Sequence, residues 1–142
     1  MLLLYAVANQ KKLLVAGTGD RSEVLLGYFT KYGDGGADIL PIAHLYKTEV
    51  RALATKLRLP YQVVVKPSSP NLWKGQVAED ELPAEYELLD RILVDIFDLH
   101  KDQRVTAREL GVPALIVRRT VKMHNKTQHK RQQPPSLPRS DR

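Results

Sequence analysis

An α/β fold is predicted for this chain, and three observations predict it. Leu13-Leu14-Val15-Ala16 runs without a break into Gly17-Thr18-Gly19. A short apolar run bounded by glycine reads as a strand covered on both faces. Asp20, followed three residues on by Glu23, opens a helix with a capping-box pattern ahead of Val24-Leu25-Leu26. Lys31-Tyr32-Gly33-Asp34-Gly35-Gly36 is too rich in glycine for regular structure, and Asp38 to Ile42 then reads as a second strand. Strand, helix and strand over Leu13 to Pro41 make a parallel, right-handed βαβ crossover.

The other elements follow in order. Met1 to Ala8 is apolar and reads as the last turns of a helix. Lys47 to Leu57 reads as a helix, because Val50, Leu53, Ala54 and Leu57 recur at helical spacing. Tyr61 to Val65 is either a strand or one helical turn. Lys66 to Trp73, with two prolines and two serines, is loop. Glu79 to Glu81 is an acidic surface stretch. Ala84 to Leu99 carries the clearest helical stripe: Leu88, Leu89, Ile92, Leu93, Ile96 and Phe97. Asp102 to Leu110 is a shorter helix stopped by Gly111, and Pro113 begins another that runs to about Asn125. Gln132 to Arg142 is expected to be irregular unless a ligand or partner orders it. Two strands are too few for a free-standing sheet, which has about four to six. Further strands are therefore expected from elsewhere.

The totals narrow the function classes. At 142 residues the chain is at most one ordinary domain, and 43% apolar residues suffice for a core. It has no apolar run of about 18 residues, so no membrane span is expected. Met1-Leu2-Leu3-Leu4 lacks the length and basic leader of a signal peptide. The absence of cysteine excludes disulfides and thiolate metal sites, and leaves a cytoplasmic location as the default. Most of the net charge of +6 comes from Lys122, Lys126, Lys130, Arg131, Arg139 and Arg142, opposed there by Asp141 alone. A basic end suits an anionic partner, although a solvated tail has the same composition.

Several positions are candidates for chemistry. Gly17-Thr18-Gly19 leading into a helix aims backbone N–H groups at an anion, and Thr18 adds a hydroxyl. Glu23, one turn in, is placed either to reach a metal or simply to cap the helix. The Lys31 to Asp38 loop sets charged and aromatic side chains on permissive backbone, as a ligand loop or a mobile turn. Lys47 puts a cation at the wrong end of a helix dipole, a conflict that a phosphate would relieve. His129-Lys130-Arg131 is a cationic triplet.

The stretch GTGDRSEVLLGYFTKYGDGGADILPIAHLYKTEVRALA resembles the ammonia-dependent NAD synthetase family, an N-type ATP pyrophosphatase family. The resemblance continues through Lys66-Pro67-Ser68-Ser69-Pro70-Asn71-Leu72-Trp73, Gly75-Gln76, Glu79 to Leu82, Tyr86 and His129-Lys130-Arg131. It implies a partial Rossmann-like fold of the adenine nucleotide alpha hydrolase type, with parallel strands flanked by helices and a helical C-terminal part. Residues 1–125 would form the C-terminal portion of that domain. Residues 126–142 would be a basic, proline-containing tail that orders only with ligand or partner.

The resemblance also implies roles. The activity is a cytoplasmic ligase reaction of NAD biosynthesis: deamido-NAD is adenylated by ATP, and ammonia then gives NAD, AMP and pyrophosphate. Thr18, Lys47 and Ser69 would contact ATP, with Lys47 the catalytic cation on its phosphates. Glu23 would bind Mg²⁺. Lys31, Asp38, His129 and Lys130 would hold deamido-NAD. The family is homodimeric, and its ammonia is either free or delivered by a glutaminase partner.

One part of the pattern is missing. The Ser-Gly-Gly-x-Asp-Ser pyrophosphate loop of the family's N-terminal half does not occur here. With it go a second Mg²⁺ carboxylate, an arginine and three strands. MLLLYAVANQ resembles the end of an internal helix, so Met1 reads as an internal methionine used as a start, or as a truncation. The chain alone is then expected to be incomplete as an enzyme. Two other readings stand beside it. Thr106 to Arg119 has a helix-turn-helix cadence that, with the basic tail, would suit DNA phosphates. That reading leaves Lys31 to Asp38 unexplained, so a nucleic-acid partner is not favoured. The other reading is an inactive remnant.

Overall fold

A computed structural model describes residues 1–137; residues 138–142, with Arg139, Asp141 and Arg142 of the basic end, lie outside the described residues. The helices are α1 (Leu2–Lys11), α2 (Arg21–Leu26), α3 (Lys47–Lys56), α4 (Tyr61–Val64), α5 (Tyr86–Leu93), α6 (Gln103–Leu110) and α7 (Ala114–Lys126). Short 3₁₀ turns cover Ala78–Asp80 and Gln128–Lys130, and α5 runs on into a π-wound turn, Val94–Asp98.

α5 is the axis of the molecule because its apolar stripe is wide enough to bury two faces. On one, Tyr86, Leu89 and Leu93 pack against Leu26, Tyr46, Ala78 and Leu82. On the other, Ile92 packs against Ala107 of α6 and Val117 of α7. Each such large side chain, fully buried, contributes about 1.5–3 kcal/mol over its exposed state. The α6–Gly111–α7 pair therefore has a packing role: Thr106, Ala107, Val117 and Thr120 of its inner face are buried. Gly111, at φ 65, ends α6 in the left-handed conformation that glycine adopts at least cost.

The two expected strands are the largest departure. They meet only in a parallel bridge between Ala16 and Ile39. The Gly17 N–H donates to the Ile39 carbonyl at 2.8 Å, and the Asp38 N–H donates to the Val15 carbonyl at 2.9 Å. The Asp38 carboxylate takes the Val15 N–H at 2.7 Å, where a neighbouring strand would otherwise accept it. Leu13 and Leu14 are 60% and 70% exposed. A parallel ladder persists when further strands extend it; among the described residues no further strand does. α1 is similarly bare, with Leu2 90% and Leu3 83% exposed and only Ala8 buried. Tyr61 to Val65 resolves to the helical turn α4. Among the described residues no helix is long and apolar enough to cross a membrane.

Candidate functional site

The site is organised on the two ends of α2. At its N-terminus the expected capping box forms. Asp20 Oδ1 accepts the Glu23 N–H at 2.9 Å, and Glu23 Oε2 accepts the Asp20 N–H at 3.1 Å. The remaining carboxylate oxygens converge on the Lys47 ammonium, with Asp20 Oδ2 at 2.5 Å and Glu23 Oε1 at 2.8 Å. The ammonium also lies 5.5 Å from the centre of the Tyr86 ring. Burial pushes the Glu23 pKa up, and the Asp20 charge adds to this; Lys47 opposes both. Burial works against the Lys47 charge, but Glu23 and Asp20 outweigh it and hold its pKa above the ordinary value. Lys47 is thus a permanent cation facing more negative charge than it neutralises. The conflict read from the sequence is relieved here by carboxylates.

The backbone of Lys47 is held as firmly. Its N–H donates to Ser22 Oγ at 2.9 Å, and Ser22 Oγ donates to Asp90 Oδ1 at 2.5 Å. Asp90 Oδ2 accepts the Thr48 N–H at 2.9 Å. Two orphan donors of the first turn of α3 are satisfied in this way, one by a side chain of α2 and one by a side chain of α5. Arg21 and Tyr46 both bond the Asp98 carboxylate of the π-wound turn.

At the C-terminus of α2 the free carbonyls are covered by the tail. Thr127 Oγ1 donates to the Leu26 carbonyl at 2.9 Å, and Arg131 donates to the Leu25 carbonyl at 2.9 Å. Lys130 Nζ donates to the Gly27 and Phe29 carbonyls at 2.8 and 2.5 Å. Cations belong at this end of a helix, so Lys130 and Arg131 complete α2. Lys31 Nζ donates to the His129 carbonyl at 2.6 Å, which ties the glycine loop to the same turn. A cleft of about 600 Å³ opens beside Phe29, Trp73, Gln76 and Lys130. A second cleft, of about 260 Å³, runs past Gly19, Glu23, Phe29, Lys130 and Arg131. Lys130 borders both, and the second links it to Glu23.

Of the residues singled out from the sequence, the structure brings Glu23 to Lys47, and Lys31 to the backbone of His129. Thr18 is exposed in the turn before Asp20. Ser69 Oγ accepts the Asn71 N–H at 3.0 Å within its own loop. Asp38 bonds Val15 and the Tyr5 hydroxyl. Among the described residues no group of three or more His, Cys, Asp or Glu side chains is placed to hold a metal ion. Sequence reasoning missed Ser22, Tyr86 and Asp90 as site residues, and took Asp20 only as a cap. A signal existed for two of them: Tyr86 and Asp90 are four apart on the clearest helix, and Asp90 borders its apolar stripe.

A family model described as NAD synthase matches residues 1–134. An NH(3)-dependent NAD(+) synthetase from Hyperthermus butylicus is 54% identical over 136 residues, covering 96% of this chain and 49% of that protein. The namesake from Staphylothermus marinus is 51% identical over 140 residues, covering 97% of this chain and 51% of that one. Among solved structures, an NMN synthetase from Francisella tularensis superposes with a TM-score of 0.78 at 36% identity, covering 96% of this chain and 51% of that one. An NH3-dependent NAD synthetase from Campylobacter jejuni superposes with a TM-score of 0.71 at 27% identity, covering 97% and 51%. The chain spans about half the length of the curated relatives it matches.

Proposed function

The chain belongs to the NAD synthase family, and on that premise we propose that it supplies one wall of an ATP-dependent amidation site that makes NAD from deamido-NAD and ammonia. The observation that carries the proposal is the Lys47 ammonium held between Asp20 and Glu23 where the N-termini of α2 and α3 meet. A carboxylate is a poor electrophile. Transfer of AMP to it from ATP, with loss of pyrophosphate, creates a leaving group that ammonia displaces. Lys47 neutralises charge on the departing phosphates, an electrostatic role. Thr18 and Ser69 contact the nucleotide, and Lys31, Asp38, His129 and Lys130 hold the dinucleotide.

The carboxylates beside Lys47 would repel a triphosphate unless a cation came with it. Their hard oxygens suit Mg²⁺, which binds through one or two carboxylates plus substrate phosphates. Glu23 would hold it, and the ion would screen phosphate charge. Thr127, Lys130 and Arg131 already dock on α2, so the tail beyond residue 131 is the part left to order around the bound ligand. The enzyme works as a homodimer in the cytoplasm, with ammonia taken up free or from a glutaminase partner. The basic helix pair gains no support as a nucleic-acid module, since the named relatives are synthetases.

The test supplies the N-terminal half of a relative as a separate chain and measures NAD, AMP and pyrophosphate formed from deamido-NAD, ATP and ammonia. NAD formation that is lost on Lys47→Ala, with a steeper Mg²⁺ requirement on Glu23→Gln, is the expected result. No product from a complex that demonstrably assembles overturns the proposal and favours the inactive remnant. Because one structural relative is an NMN synthetase, the assay includes the deamido mononucleotide. Faster turnover of that acceptor would correct the substrate and leave the amidation chemistry standing.

A further inference from the structure

We propose that Asp90, acting through Ser22 and the backbone of α3, is a positioning residue that sets the reach of the Lys47 ammonium. The proposal rests on the reading of Lys47 as the phosphate-facing cation. Tyr46, which precedes α3, offers no side-chain cap to the helix that carries Lys47. The missing acceptors come instead from α2 and α5, and one carboxylate links all three helices. Ser22 and Asp90 are 0% and 4% exposed, so water cannot replace these bonds when one is lost.

The geometry ties this network to one side chain. With its N–H fixed on Ser22, Lys47 is the first residue of α3, and its stem crosses to α2 to meet Asp20 and Glu23. Tyr86 lies one turn before Asp90 on α5 and sets its ring beside the same ammonium. Helix α5 therefore holds Lys47 at both ends, at the backbone through Asp90 and at the charge through Tyr86. A carboxylate buried only to satisfy the core would not need this alignment.

The test measures the rate at which each lysine of the full chain is reductively methylated, resolved by peptide mass spectrometry across a pH series. Loss of the anchor lets the start of α3 shift and weakens the alignment of the ammonium with Asp20 and Glu23, so Ser22→Ala and Asp90→Ala should each raise the Lys47 rate about tenfold near about pH 8, with Lys101 and Lys130 unchanged. Asp90→Asn keeps an acceptor for the Thr48 N–H and puts an amide N–H against Ser22 Oγ in place of the acceptor it had, so a hydrogen bond to Ser22 persists with its direction reversed and the rate should return close to native. An unchanged Lys47 rate in folded Ser22→Ala overturns the proposal, and so does an equal rise at Lys101 and Lys130, which would report general loosening. If Asp90→Ala does not fold, Ser22→Ala and Asp90→Asn decide. A parallel calorimetric titration with Mg-ATP separates the two claims. Absence of binding by the chain assembled with the N-terminal half of a relative overturns the nucleotide reading of Lys47, whereas the methylation pattern judges the positioning role by itself.

Discussion

His124 is a titratable group whose surroundings oppose its charge. Its Nδ1 lies 2.8 Å from the Leu25 carbonyl, its ring centre 4.2 Å from that of Phe97, and Arg131 bonds its own carbonyl oxygen. Burial lowers its pKa and the Arg131 charge lowers it further, against a raising contribution from the Leu25 bond. The sign follows from linkage. A lowered histidine contributes stability that is complete above its unfolded pKa of about 6.5 and is lost as pH falls through the folded value. Glu23 and Asp90, both raised by burial, work the other way, losing their contribution as pH rises. Urea unfolding of the native chain and of His124→Gln, compared between about pH 7.5 and about pH 5.5, isolates the histidine. The native chain should lose more stability on acidification than the variant. Parallel losses would remove His124 from the account.

At the scale of the element, α2 has six residues, too few for a helix stable by itself. It persists because both ends are completed, by the Asp20–Glu23 box at the start and by Thr127, Lys130 and Arg131 at the finish. Gly27 makes the second possible. It sits at φ +64, and a Cβ there would lie 2.3 Å from Thr127 Cβ. Gly27→Ala should therefore cost about 1–3 kcal/mol from the left-handed backbone alone, with the clash adding to it. Limited proteolysis should then cut first near Thr127 to Arg131, as the turn lifts from α2. A variant as stable and as protease-resistant as the native chain would show that α2 does not depend on this docking.

At the scale of the whole molecule, packing is concentrated around α5, while α1 and the Leu13–Leu14 segment are left in water. Exposed apolar area of this kind binds hydrophobic dye and promotes self-association. The native chain should enhance ANS fluorescence and sediment faster as its concentration rises, and Leu3→Glu together with Leu14→Lys should reduce both with no change in helical circular dichroism. Concentration-independent sedimentation with no dye binding would mean that these residues find cover in solution.

The amino-acid sequence by itself determined the local features. The Asp20–Glu23 capping box, the α5 stripe, the Gly111 stop and the family motif depend on residues a few positions apart, and short-range sterics and hydrogen bonding act at that range. Only the tertiary structure decided that Asp90 and Ser22 anchor Lys47, that Lys130 and Arg131 complete α2, and that the two strand segments meet in a single bridge. These depend on partners that are distant in sequence, 68 residues apart for Ser22 and Asp90 and 103 for Lys130 and Gly27. No pattern of spacing encodes such a meeting, because it exists only once burial has brought the helices together and excluded the water that would otherwise compete for each bond.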